Sequence, residues 1–167
     1  MRFALLFLIF FSLASCEQNT SDEMTTYYFI RHAEKDLSDP DNHDPDLIEE
    51  GRIRAEKWKE VFKEVPLDMV YSSKYKRAHQ TAKPVADDHD LPVSLYNTEK
   101  LHDKDFQQET KGKTVLVVGH SNLNPEFVNY IIEEEKYEDI PESESGSLFI
   151  VTVTPSGEKQ SHVLYIN

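Results

Sequence analysis

Cationic side chains stand at three places where apolar segments of this sequence end. Arg31 and His32 follow the apolar run Tyr27 to Ile30, Arg77 lies shortly after a second such run, and His120 follows a Val-rich run. Arginine offers planar, paired N–H donors that match phosphate oxygens, and a neutral imidazole can attack phosphorus as a nucleophile. If the fold gathers these four side chains, they form an anion pocket that could transfer a phosphoryl group.

The four residues would support this chemistry without a cofactor. In this hypothesis His32 attacks phosphorus, and water then hydrolyses the resulting phosphohistidine. Arg31, Arg77 and His120 would neutralise the charge on the equatorial oxygens of the phosphoryl group. We therefore expect neither a metal nor another cofactor at the site. The alternative interpretation is a coincidence of unrelated surface charges.

Acidic residues outside these segments have simpler interpretations. His43, with Asp41, Asp44 and Asp46, could suggest a metal site, but acids in such a proline-containing loop are more often solvated. Glu142 and Glu144 are likewise interpreted as solvated loop acids. Residues 34–35 could line the pocket or form a salt bridge within a loop.

Strand and helix patterns alternate along the chain and must position these side chains. Asp46 is the expected N-cap of the first helix, Pro84 predicts a kink or an early break in the second, and Asn124 is expected to cap a later helix with Pro125 at its first position. The patterns predict strands at 27–30, 68–73, 92–96 and 114–119, helices at 47–63, 74–89, 101–110 and from 124, and a final hairpin of 148–154 with 162–166.

This alternation predicts an α/β fold. We expect a three-layer α/β/α sandwich with a mostly parallel central sheet, and the hairpin at one edge of that sheet. In such sheets, ligands bind at the carboxyl ends of the strands. The cationic residues all fall at such strand ends, so the fold itself would bring them to one rim.

Three segments together resemble a known family. They are Arg31-His32-Ala33-Glu34, Ser72 to Ala82 and Val118 to Asn122, and they resemble, in this order, the three signatures of the histidine phosphatase superfamily, which has the phosphoglycerate mutase-like fold. The resemblance covers the chain from about Tyr27 to its C-terminus. The short length, without a large insertion, is similar to the small bacterial branch that includes phosphohistidine phosphatases.

The resemblance implies a role for each cationic residue. His32 would be the residue that becomes phosphorylated, and Arg31, Arg77 and His120 would hold the phosphoryl group. Larger members of the family carry a Glu or Asp after the third strand as proton donor. Glu99 is our first choice for that donor, with Asp103 and Asp105 in the same region. A missing donor would favour phosphohistidine or aryl phosphate substrates, whose leaving groups depart more easily than alkyl alcohols.

The sequence therefore predicts a metal-independent phosphatase that hydrolyses phosphomonoesters or phosphoramidates through a phosphohistidine on His32. Its partner would be a phosphorylated small molecule or a phosphoprotein. The alternative is a non-catalytic lipoprotein that binds phosphorylated ligands in the same pocket. A mutase would need a donor acid and a closing lid, which the sequence does not indicate.

Bulk composition excludes some partners. The chain has 167 residues and a formal net charge of −13, which suits one domain and disfavours nucleic acid and bare anionic membranes as partners. Residues 1–15 have a charged start, a short apolar core and a small-residue exit, which is typical of a secretory signal peptide. The apolar core is too short for a transmembrane helix, which needs about 20 residues.

Cys16 directly follows this segment and is the chain's single cysteine. The arrangement resembles a bacterial lipoprotein signal, in which cleavage leaves a lipidated cysteine first; a plain secreted protein is the alternative. We expect an acidic tether at 16–25 and a histidine phosphatase-like domain at 26–167. The protein would be exported and lipid-anchored at a bacterial membrane, on its periplasmic or outer-membrane face, and would touch that membrane through the lipid alone.

Overall fold

Strands and helices alternate through most of the chain. The computed structural model describes residues 23–98 and 104–166, and six strands of this part form a single mixed sheet. The elements are β1 (Thr25–Arg31), α1 (Glu49–Phe62), β2 (Met69–Ser72), α2 (Lys76–Asp88), β3 (Val93–Leu95), α3 (Lys104–Glu109), β4 (Thr114–Gly119), α4 (Leu123–Ile132), β5 (Ser147–Val153) and β6 (Lys159–Tyr165).

The sheet has the order β3-β2-β4-β1-β5-β6. Strands β3, β2, β4 and β1 run parallel to their neighbours, whereas β5 and β6 are antiparallel additions beside β1. The α/β class and the hairpin at the sheet edge are confirmed. The sheet is better described as mixed than as mostly parallel, and the three-layer sandwich stays a prediction.

Alternate residues of the central strands supply two separate apolar clusters, because successive strand side chains point to opposite faces of a sheet. One cluster joins the strands to α1 and α2, and the other joins them to α4 and to Phe106 of α3. The first contains Ile30, Trp58, Phe62, Val70, Ala82, Val85, Leu116 and Val118. The second contains Tyr27, Phe29, Tyr71, Val115, Val117, Phe127, Val128 and Ile131.

The structure corrects two predictions about helix caps and rules out an early break of α2 at Pro84. Helix α1 has Ile48 at its N-cap position without a side-chain cap, while the Asp46 carboxylate accepts a hydrogen bond of 2.7 Å from Gln80 Nε2. Helix α4 begins one residue before Asn124, which is buried inside its first turn. Helix α2 continues through Pro84 for a further turn.

The predicted N-terminal features fall largely beyond the described residues. The signal peptide at 1–15, Cys16 and residues 17–22 of the tether lie outside them. Strand β1 begins at Thr25, which is buried and pairs with Val153 of β5. Within the described ranges, no helix has the length and apolar character needed to cross a membrane.

Candidate active site

Neighbouring parallel strands bring the cationic residues to one rim of the sheet. Strands β1 and β2 flank β4, and all three end at this rim. The His32 N–H donates to the Gly119 carbonyl at 3.0 Å, and the Ser73 N–H donates to the Val118 carbonyl at 3.2 Å. The ladder hydrogen bonding therefore continues one residue past the strands and fixes where the first site residues stand.

A cavity of about 270 Å³ opens at this rim. Its walls include His32, Arg77 and His120, together with Lys35, Tyr75 and Glu142. A larger cavity of about 530 Å³ lies between α1 and α2, but none of the predicted site residues line it. We assign the smaller cavity as the candidate site because it holds the two imidazoles and the Arg77 guanidinium together.

His32 is held as a neutral imidazole. Its Nδ1 lies 2.8 Å from the Ala33 carbonyl oxygen, and because a carbonyl can only accept, Nδ1 carries the proton and Nε2 has a lone pair. Burial lowers the pKa of His32 to about 3, and the nearby Arg77, His120 and Arg31 lower it as well. The ring is therefore neutral at neutral pH, with Nε2 free of a proton, as a nucleophile must be.

Thr81 ties the His32 loop to helix α2. Its Oγ1 accepts a hydrogen bond of 2.9 Å from the Ala33 N–H and donates one of 2.7 Å to the Arg77 carbonyl. Ala33 thus contacts the His32 ring through its carbonyl and helix α2 through the hydrogen bond from its N–H to Thr81. This buried hydroxyl sets the position of His32 relative to the turn that carries Arg77.

Helix α1 packs closely against the same loop. A Cβ atom at Gly51 would overlap the Glu34 carbonyl oxygen, so only glycine allows this approach. The Glu34 carboxylate accepts a hydrogen bond of 2.7 Å from Arg54 Nε, so Glu34 forms a salt bridge with helix α1 rather than one within its own loop. Lys35, by contrast, lines the cavity.

His120 sits against Ser73 and Tyr75. Its Nε2 lies 2.8 Å from the Ser73 hydroxyl, and its ring meets that of Tyr75 edge to face at 5.3 Å. Burial lowers the pKa of His120 to about 4, with further lowering by Arg77 and Lys35. His120 is therefore also neutral at neutral pH, and an incoming anion would raise its pKa.

Arg77 is a buried cation with incomplete pairing. Its guanidinium stacks on the Tyr75 ring, 4.4 Å from Cζ to the centroid, and its Nη1 lies 3.9 Å from an Asp44 carboxylate oxygen. Nε and Nη1 are buried without a hydrogen-bond partner among the described residues. Burial lowers the pKa of this guanidinium, yet arginine stays charged at neutral pH. Donors left in this state are suited to an anionic ligand.

Arg31 is placed differently from the other three residues. Its Nη1 donates to the carbonyls of Pro141, Glu142 and Glu144, at 3.2, 2.8 and 3.0 Å. Its Nη2 donates to the Glu142 carboxylate at 2.6 Å. The Arg31 guanidinium therefore binds the segment before β5 and adds positive charge behind the cavity wall.

Glu142 and Glu144 are not simply solvated acids, which corrects the interpretation of the sequence. The Glu142 carboxylate also accepts a hydrogen bond of 3.0 Å from the Ser121 hydroxyl, and the Glu144 carboxylate accepts one of 2.6 Å from the Gly146 N–H. No local sequence pattern indicates that Glu142 contacts Arg31, because the two residues are far apart in sequence and are brought together by the pairing of β1 with β5. Thr81 carried a weak signal only, as one residue of the second family-like segment.

The proton-donor prediction lies outside the described part of the chain. Glu99 and Asp103 belong to residues 99–103, and Asp105 is the second residue of α3.

Across residues 23–98 and 104–166, no three His, Cys, Asp or Glu side chains are grouped as metal ligands would be.

Comparison with known sequences gives one family. The model of the histidine phosphatase superfamily (branch 1) matches residues 27–109, a range that contains His32 and Arg77 and ends before His120. No curated protein matches the sequence.

Solved structures share the fold over most of the chain. The protein histidine phosphatase SixA complexed with tungstate is 21% identical, with a TM-score of 0.65 over 84% of this chain and 96% of that one. A mycobacterial glucosyl-3-phosphoglycerate phosphatase is 13% identical, with a TM-score of 0.63 over 87% and 100%. Phosphoglycerate mutase from Bacillus anthracis str. Sterne is 15% identical, with a TM-score of 0.63 over 87% and 94%. The predicted likeness to the phosphoglycerate mutase fold is confirmed.

Proposed function

The chain belongs to the histidine phosphatase superfamily, and from this premise we propose that it hydrolyses phosphomonoesters or phosphoramidates through a phosphohistidine on His32. Membership of the family supports phosphatase activity in general. One observation carries the finer proposal: the neutral His32, with its lone pair on Nε2, shares a cavity with Arg77, whose Nε and Nη1 have no hydrogen-bond partner among the described residues.

The first step is attack by His32 on the substrate. The Nε2 lone pair forms a bond to phosphorus, and the P–O or P–N bond to the leaving group breaks. The leaving group takes the bonding electrons and needs a proton. The Nδ1–H bond to the Ala33 carbonyl stabilises the positive charge that develops on the imidazole when it is phosphorylated.

The cationic residues stabilise the charge on the transferred group. Arg77 supplies charged N–H donors to the phosphate oxygens, and the stacking of its guanidinium on the Tyr75 ring holds these donors in place. His120 gains a proton more readily as the anion enters, and then donates a hydrogen bond to it. Arg31 adds charge to the cavity through its buried guanidinium, and Lys35 adds charge from the cavity wall.

The second step returns the enzyme to its starting state. A water oxygen attacks phosphorus, the N–P bond breaks, and its electrons return to Nε2 of His32. The water proton passes to the departing phosphate or to solvent. Because each step moves charge between groups that stay in place, neither step requires a metal ion.

The identity of the leaving group depends on the proton donor. We assign Glu99 as this donor, since it follows β3 in the chain. An alkyl alcohol would depend on it strongly, whereas imidazole and phenols leave more easily. The substrate we propose is a phosphorylated small molecule or a phosphoprotein, with phosphohistidine and aryl phosphates preferred when no acid acts.

The proposal extends to the place of action. A signal peptide at 1–15 and lipid on Cys16 would put the domain outside the cytoplasmic membrane, anchored to a bacterial membrane by the lipid alone. Mass spectrometry of the protein from membranes would detect a lipidated Cys16, whereas an N-terminus without lipid would favour plain secretion.

Trapping the intermediate tests the mechanism. Protein kept in a chelator is mixed with a phosphoryl-labelled phosphoramidate and quenched in alkaline detergent, because a phosphohistidine survives alkali. We expect label on the wild-type chain and none on His32→Asn, while His162→Asn, which changes an exposed histidine of β6, keeps it. No label on any of the three proteins would instead support the non-catalytic lipoprotein that binds phosphorylated ligands.

A further inference from the structure

The carboxylate of Glu142 is bound by the side chains of both Arg31 and Ser121. Oε2 accepts a hydrogen bond of 2.6 Å from Arg31 Nη2, and Oε1 accepts one of 3.0 Å from the Ser121 hydroxyl. Glu142 is one of the residues that line the cavity beside His32 and Arg77. The Glu142 carboxylate is thus an anion of the protein itself, bound beside a cavity that is lined by cationic groups.

The two partners of this ion pair differ in their freedom to move. The Arg31 side chain is 4% exposed, and its Nη1 is fixed by three backbone carbonyls, whereas the Glu142 side chain is 72% exposed. An exposed carboxylate can rotate into solvent at small cost. The buried guanidinium is held in place, so departure of the Glu142 carboxylate would leave the Nη2 donor available to another anion.

We infer that Glu142 determines the affinity of this site for phosphoryl groups, because its carboxylate is an internal anion that competes with them for Arg31. The inference rests on the proposed function. The phosphoryl group of a substrate displaces the carboxylate and takes over the donor at Nη2. After hydrolysis, the carboxylate returns to Arg31 and favours release of phosphate.

The charges around the cavity support this role. Arg31, Arg77 and Lys35 contribute positive charge, and the Glu142 carboxylate offsets part of it in the ligand-free protein. Its negative charge reaches across the cavity, where it raises the pKa of His120 against the lowering by burial. A cavity that held three uncompensated cations would bind product phosphate more tightly.

Binding of inorganic phosphate measured by calorimetry on the full chain tests the inference without any need for turnover. We expect the dissociation constant to fall by about tenfold in both Glu142→Gln and Glu142→Ala, as expected when a competing charge is removed. Glu138→Gln is the matched control, since it removes the same charge from an exposed position of the segment before β5 that does not line the cavity.

The outcomes separate this inference from the proposed function. If the wild type binds phosphate and neither Glu142 variant binds it more tightly than Glu138→Gln does, the inference is overturned and the proposed function stands. If none of the proteins binds phosphate, both are overturned. Thermal unfolding without phosphate checks that each variant is folded, because a folded domain unfolds in a cooperative transition.

Discussion

The imidazole rings of His32 and His120 meet edge to face, with centroids 5.4 Å apart and planes at 67°. Burial is the main cause that lowers the pKa of each ring, Arg77 lowers both values further, and His120 also lowers the pKa of His32. The fold therefore keeps two neutral imidazoles in contact at neutral pH, where one can attack phosphorus and the other can take up a proton as the anion binds.

These neutral histidines make stability depend on pH. In the folded protein the pKa of His32 is about 3 and that of His120 about 4, against an ordinary value of 6.5. The unfolded chain binds more protons between these values, so stability is complete above about pH 6.5 and is lost as the pH falls toward 4 and 3. We expect each histidine to cost about 1 to 2 kcal/mol between pH 7 and pH 5.

Denaturant unfolding at the two pH values measures this effect. The loss of stability between pH 7 and pH 5 should shrink in His32→Asn, which cannot gain the proton, and should stay at the wild-type value in His162→Asn. An equal loss in all three proteins would contradict the assignment of the effect to the buried ring.

Arg77 should matter more for catalysis than for stability. We expect Arg77→Met to lower kcat/KM for an aryl phosphate by about a hundredfold, because it removes donors to the transferred group. The free energy of unfolding should change by less than about 1 kcal/mol, since burial of an incompletely paired guanidinium offsets its contacts. Steady-state kinetics and denaturant unfolding check both statements, with exposed Arg52→Met as control. Unchanged kcat/KM in Arg77→Met would rule out the proposed role.

Thr81 acts as a positioning residue through Ala33. We expect Thr81→Val to lower kcat by about tenfold and stability by about 1 to 3 kcal/mol, because it leaves the Ala33 N–H buried without an acceptor. Thr81→Ser keeps the hydroxyl and should restore most of kcat. If Ser and Val variants lose kcat equally, the side-chain volume rather than the hydrogen bond is responsible.

Glu99 should affect substrates according to their leaving groups. We expect Glu99→Gln to lower kcat/KM for an alkyl phosphate by about a hundredfold, and for an aryl phosphate by less than about threefold, because only the alkoxide needs a proton to depart. The ratio of the two rates in each protein serves as an internal control. A ratio that the substitution leaves unchanged would assign the proton donor elsewhere.

The order of elements could be read from the sequence because hydrophobic periodicity is a local property. The buried run of β4 and the strand ends at His32 and His120 follow from it, as does the position of Arg77 in the first turn of α2. Helix caps are less predictable. The sequence favours Asp46 as the N-cap of α1, but its carboxylate accepts a hydrogen bond from Gln80, which is distant in sequence.

The remaining features of the site depend on contacts between distant parts of the chain. The guanidinium of Arg31 binds the segment at residues 141–144, which lies 110 residues or more away in sequence, while its role as a phosphate-binding residue stays a prediction. The ionic partner there, Glu142, looks like any loop acid in the sequence. Periodicity carries no information about which loop lies over which strand end, so only the folded structure shows this pairing.

Strand β1 gives the domain a direction. It begins at Thr25 and ends at Arg31, and at about 3.3 Å per residue these ends are about 20 Å apart. The preceding chain therefore joins the sheet at the rim opposite the cavity. If Cys16 carries the proposed lipid, the anchor and His32 are attached to the chain at opposite ends of β1.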